Sequence, residues 1–171
     1  MAELNVTFTN IIREAETHAI PTQPTAQEQS ARLDVAVPRY QRLRLLGQRL
    51  LIELAADYLG EAASRLRPGS YKSVRFALEL LVSHLGQRQI RDVTFAQGRE
   101  VLSLIGQLTP NIRKYREAKE ASLKELAALS EAQGGVSLTG QTQARILWQM
   151  LQFFDWCVHS EELLGSPWAG L

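Results

Sequence analysis

Cysteine is nearly absent from this sequence: Cys157 is the only one in 171 residues. A single thiol excludes a disulfide framework and a cysteine-ligated zinc site. With Trp156 and Val158 beside it, it reads as a packed, inert thiol. Long apolar runs are missing too. No stretch approaches the roughly 20 apolar residues that span a bilayer, and the opening Met-Ala-Glu-Leu-Asn lacks the basic and apolar regions of a secretory signal. A cytoplasmic chain without membrane association is expected. Charge of one sign is also scarce, since 19 Lys and Arg face 18 Asp and Glu for a net charge of +1. A uniformly basic surface is therefore excluded, and any phosphate-binding face must come from local clustering.

Groups of residues that carry chemistry are equally sparse. His18, His84 and His159 are far apart and show no metal-ligand spacing. Glu161 and Glu162 are adjacent, so one helix surface cannot turn both toward a substrate. There is no phosphate-cradling glycine loop and no nucleophile elbow. The expectation is a chain without an active site, metal or cofactor.

What the sequence does contain is helix. Its 45% hydrophobic and 22% charged content is ordinary for a globular chain, and its length suits one domain with an appended arm. Met1 to about His18 has the pattern of a short helix around Phe8, Ile11, Ile12 and Ala15. Ile20 to Ser30 is polar with two prolines and reads as a linker. We therefore divide the chain into an arm and linker over 1–37 and a helical domain over 38–171.

Within that domain the periodicity predicts helices over about 38–65, 70–85, 95–108, 122–132 and 140–160. Pro38 suits a first turn, and Leu43, Leu46, Leu50, Leu54 and Tyr58 recur at helical steps. Arg67-Pro68-Gly69 is a break. Ser70 is the expected cap of the second helix, with Gly86 as its stop and Tyr71, Val74, Leu78, Leu81 and Leu85 as its buried stripe. Thr94 with Gln97, and Ser122 with Glu125, have capping-box spacing. The third helix should bury Phe95, Val101, Leu102 and Ile105 and end at Thr109-Pro110-Asn111. Gly134-Gly135 breaks the fourth. The last should bury Leu147, Met150, Leu151, Phe154 and Val158. Trp148, Phe153, Phe154 and Trp156 lie in or beside its apolar stripe, which favours core packing over stacking on nucleic-acid bases. Trp168, beyond that helix, is expected to tack the tail to the body. No strand pattern of useful length occurs, so the fold class is all-α.

Several words occur in a fixed order from about Leu50 onward. They are Leu54-Ala-Ala-Asp-Tyr-Leu59, Ser70-Tyr71 through Phe76-Ala-Leu-Glu-Leu-Leu81 to Leu85-Gly86, Ile90-Arg-Asp-Val-Thr94, Leu138-Thr-Gly-Gln-Thr142, Phe153-Phe-Asp-Trp156, and Leu163-Leu-Gly-Ser-Pro167 through Gly170-Leu171. Together they resemble the core-binding domain of tyrosine recombinases (phage-type integrases). Each word is common helix grammar; the ordered set over about two-thirds of the chain carries the likeness. Two positions depart from it. Ser166 stands where the family often has Asn, and Gly140-Gln141 stand where a proline or a basic residue often precedes Thr142.

The resemblance implies a four-helix, SAM-like domain forming one half of a C-shaped clamp on double-stranded DNA. The segment from Arg113 to Gly135 looks like an insertion found in some phage-type integrases. The family's tyrosine nucleophile and its supporting residues belong to a catalytic domain expected after Leu171, and none maps onto this chain. The implied parent is a site-specific recombinase, tetrameric on DNA, while this part alone is expected to be a monomer or weak oligomer.

Helix starts supply the DNA-facing candidates, because free amides and the positive dipole end attract phosphate. They are Ser70, Lys72, Ser73 and Arg75 on the second helix and Thr142, Gln143 and Arg145 on the last. Arg88, Arg91, Arg113, Lys114 and Arg116 are additional candidates. The plainer reading is that all these are solvated positions at helix ends and in a linker. Two rival functions stand beside DNA clamping. One is a helical protein-interaction module, which fits the neutral net charge and the heavily apolar Leu43–Leu59 segment. The other is a small transcriptional regulator, disfavoured because no tight helix-turn-helix is present.

Overall fold

A break of two residues separates the first pair of helices. The structure, a computed structural model, describes residues 46–112, 118 and 120–171. The arm and linker, the first part of the helix expected from Pro38, and Arg113, Lys114 and Arg116 lie outside the described residues. The described residues form five α-helices and no strand: α1 (Leu51–Arg65), α2 (Pro68–Leu85), α3 (Phe95–Gln107), α4 (Leu123–Gln133) and α5 (Gly140–His159). A 3-10 turn, Ile90–Asp92, joins α2 to α3.

The first expected helix is shorter than the periodicity suggests. Gly47 has a φ of +72°, and Leu50 forms an isolated antiparallel bridge with Gln89. Residues 46–50 are therefore not helical. The reason is long-range pairing: the Ile90 amide donates to the Arg49 carbonyl, while the Leu51 and Ile52 amides donate to the carbonyls of Arg88 and Gly86. The opening amides of α1, which no helix can satisfy internally, thus find acceptors at the end of α2. This pairing also sets α1 and α2 antiparallel.

Pro68 and Gly69 are not a break but the first turn of α2. Arg67 occupies the N-cap with Pro at the first helical position, where its missing amide costs nothing. Ser70 therefore lies inside the helix and does not cap it. Gly86 does end α2, though with right-handed backbone rather than the left-handed form common at such stops. Thr94 and Ser122 form the expected capping boxes. Gly134 closes α4 at φ +61°, a conformation that glycine adopts without penalty.

Helix α2 is central and packs against α1, α4 and α5, while α3 packs against α4 and α5. That position explains why its burial exceeds one stripe: Ala77, Leu80 and Val82 are buried along with Val74, Leu78, Leu81 and Leu85. Tyr71 is only half-buried. The largest fully buried side chains include Leu51, Leu54, Leu78, Leu81, Phe153, Phe154 and Trp168. Each contributes about 1.5–3 kcal/mol relative to exposure.

On α5 the buried face is rotated from the expected one. Ile146, Met150, Phe153, Phe154 and Cys157 are buried, whereas Leu147, Leu151 and Val158 are half-buried. Trp148 is 54% exposed and is not a core residue. On α3, Val101 and Ile105 are buried as expected, Leu102 is half-buried, and Phe95 is 45% exposed. In each case the element beyond the helix decides the buried face, and apolar spacing alone admits more than one. Trp168 is fully buried, with its ring centroid 4.6 Å from that of Phe154.

Candidate nucleic-acid interface

The α1–α2 turn concentrates positive charge. Between Glu61 and Glu79 there is no acidic residue, while Arg65, Arg67, Lys72 and Arg75 all fall in that interval. Arg65, Arg67, Ser70 and Lys72 are exposed, and Ser73 is half-buried. Arg75 is held differently: its Nε lies 2.9 Å from Oε1 of Glu79, one turn later on α2. This neutralises part of its field. Arg65 and Arg67 escape a search for expected helix starts, because neither lies in one. The signal that marks them is the acid-free interval itself.

Helix α5 begins in a second acid-free interval, from Ala132 to Phe154. Thr139 caps it, accepting from the Thr142 amide at 3.3 Å, and the two threonine hydroxyls are 3.0 Å apart. The Gln143 side-chain amide donates to the Leu138 carbonyl at 2.7 Å, fixing the chain as it enters the helix. Gln143 and Thr142 are thus engaged in building the helix start. Arg145 is exposed and free of any ion pair to a described residue.

One groove joins the two intervals. It has a volume of about 300 Å³, and its walls include Phe76 of α2, Thr142 and Ile146 of α5, and Asn111, Ile112 and Leu138 from the connections. Lys72 precedes Phe76 by one helical turn, on the same side of α2. Arg145 adjoins Ile146 in sequence. Asn111, at φ +64°, turns the chain at the groove's edge in the left-handed conformation that asparagine tolerates.

Arg88 and Arg91 are exposed but sit at the other end of α2. Sixteen residues separate Lys72 from Arg88, roughly 24 Å at helical rise. They do not join the Lys72 cluster. The Arg91 Nε lies 3.9 Å from Asp92, and its backbone amide donates to the Gly47 carbonyl.

The α1 face beside the end of α5 has the opposite character. A wider groove of about 530 Å³ is lined by Arg49, Asp57, Glu61, Trp156, Ser160 and Glu162. Arg49 bridges Asp57 and Glu162. Burial disfavours its charge, but bonds to these two carboxylates more than offset that and raise its pKa. The Trp156 indole donates to Glu61 at 2.9 Å. Among the described residues no three His, Cys, Asp or Glu side chains are placed to hold a metal. Nor, among the described residues, is any helix long and apolar enough to cross a membrane. Burial pushes the Cys157 thiol up to about 12, so it has no nucleophilic character at neutral pH.

No family model matches the chain, and neither a curated protein nor a solved structure matches it.

Proposed function

We propose that this chain holds duplex DNA as the core-binding, SAM-like domain of a tyrosine-type site-specific recombinase, with strand cleavage performed by a separate catalytic domain. The observation that carries this reading is the segregation of charge. The helix starts bearing Lys72 and Arg145 lie in acid-free intervals whose helices wall one groove, while Asp57, Glu61 and Glu162 gather on another. A chain of net charge +1 can attract phosphate only through such separation. The described residues are all-α, as such a domain requires. In this reading the domain supplies backbone contacts and no chemistry, and its parent acts as a tetramer on paired sites.

The test is a titration of labelled duplex at several salt concentrations. Affinity should fall steeply between low and physiological salt. Lys72→Ala and Arg145→Ala should each reduce the log–log slope by about 1. Absence of salt-dependent duplex binding by the wild-type chain refutes the proposal.

A second reading, a helical protein-interaction module, draws on the exposed apolar side chains Phe95, Val136, Trp148 and Leu164. It requires a protein partner retained at high salt, where phosphate contacts are lost.

A further inference from the structure

Trp148, like Phe95, is a large aromatic side chain that the sequence assigns to the core and the structure turns outward. It is 54% exposed. Among the described residues no ring packs on it and nothing accepts its indole N–H. It follows Arg145 by three residues, so the two share the outward face of α5. The other exposed side chains in the first half of that face are Gln141 and the small Ala144, and the first carboxylate on α5 is Asp155.

We infer that Trp148 is the apolar contact of the DNA interface, its indole lying on the deoxyribose beside the phosphate that Arg145 neutralises. The inference rests on the duplex-binding reading above. Its argument is charge complementarity. A protein-docking anchor sits among apolar neighbours inside a polar rim. Here one indole shares its exposed face with a glutamine, an alanine and an arginine, and α5 carries no carboxylate before Asp155, about two turns further along. A nucleic-acid backbone alternates anionic and apolar groups, and a cation followed one turn later by an aromatic ring matches that alternation. In a stacked duplex the sugar is the apolar surface next to the phosphate, which makes it the partner within reach.

The experiment uses the full 171-residue chain, labelled duplex and a salt series, with Trp148→Ala, Trp148→Phe and Arg145→Ala. Trp148→Ala should weaken binding about tenfold, on the scale of an aromatic hot-spot residue, yet leave the salt slope unchanged because no phosphate contact is lost. Trp148→Phe should recover most of the affinity. Arg145→Ala should lower the slope. Tryptophan fluorescence gives an independent readout, since Trp168 is fully buried and the Trp156 indole is bonded to Glu61. Duplex should protect the most acrylamide-accessible tryptophan in the wild type, with no such protection in Trp148→Ala.

If Trp148→Ala binds like the wild type and the wild type still shows salt-dependent binding, this inference falls and the duplex-binding reading stands. If the wild type fails to bind duplex at low salt, both fall. If Trp148→Ala instead loses a protein partner held at high salt while duplex binding is unchanged, the indole belongs to a protein interface and the inference is overturned.

Discussion

The Trp168 indole nitrogen donates to the Thr94 carbonyl at 3.1 Å, closing the C-terminal tail onto the start of α3 across 74 residues. The bond anchors a side chain whose ring also packs on Phe154 and passes close to Gly98. Trp168→Ala should therefore cost about 3–5 kcal/mol in urea unfolding, the range for large aromatic truncations in a core. Gly98→Ala reaches the same contact from the opposite side. Its new Cβ would stand 2.9 Å from the Trp168 indole nitrogen and 2.8 Å from a Leu171 methyl. A loss of about 1–3 kcal/mol is expected, as for overpacking elsewhere.

Gly47 combines a left-handed backbone with a close neighbour. A Cβ there would lie 2.6 Å from the Arg91 Cβ. Gly134 is also left-handed but faces open space. Gly134→Ala should cost about 1–2 kcal/mol, the ordinary left-handed penalty. Gly47→Ala should cost clearly more, and parallel denaturation curves measure the difference.

Ser130 holds the end of α3 to α4. Its hydroxyl oxygen accepts from the buried Thr109 amide at 3.1 Å and lies 3.3 Å from the Thr109 hydroxyl. Ser130→Ala leaves that amide without its partner in a buried site. The expected loss of stability is about 1–3 kcal/mol, and hydrogen exchange at Thr109 should accelerate with it.

His84 should make the fold acid-sensitive above the carboxylate range. Burial lowers its pKa below the ordinary 6.5 despite Glu100 at 3.5 Å, with Lys124 and Arg88 adding to the lowering. A group whose folded pKa is depressed leaves stability intact above 6.5. As pH falls from there, the unfolded chain takes up the proton first and stability is lost. Glu100 and Glu125, whose pKa values are held below 4.5 by Lys124 and by Ser122, begin to contribute only lower, as pH falls through 4.5. His84→Gln should flatten the stability profile as pH falls below 6.5. An unchanged slope would show that His84 does not control it.

Cys157 should be silent toward a thiol reagent in the native protein. It is fully buried and its pKa is pushed up to about 12. Modification should follow the unfolding curve in denaturant; stoichiometric reaction in native buffer would contradict the packed geometry.

Much of the fold was legible because its signals are local. The capping boxes at Thr94 and Ser122 and the stop at Gly134 each involve residues three or four apart, whose geometry the helix itself dictates. Pro68 misled because proline breaks a helix interior but suits a first turn. Sequence spacing placed it between helices, whereas the pairing of Leu51 and Ile52 with Arg88 and Gly86 fixes where α1 starts. The candidate site was partly legible. Lys72 and Arg145 could be named from helix starts. The engagement of Arg75 with Glu79 and of Gln143 with Leu138 could not, since each depends on a chosen rotamer. Arg65 and Arg67 were visible only as part of a charge interval.

Sequence alone determined the all-α class, the order of five helices and most of their ends, since periodicity and capping act within a few residues. Only the tertiary structure decided which flank of α5 meets α2. That choice buried Ile146 and Cys157 and left Trp148 in solvent. The physical reason is that a helix with apolar residues on more than one side has several faces of similar hydrophobic value. Contacts made from distant parts of the chain select among them.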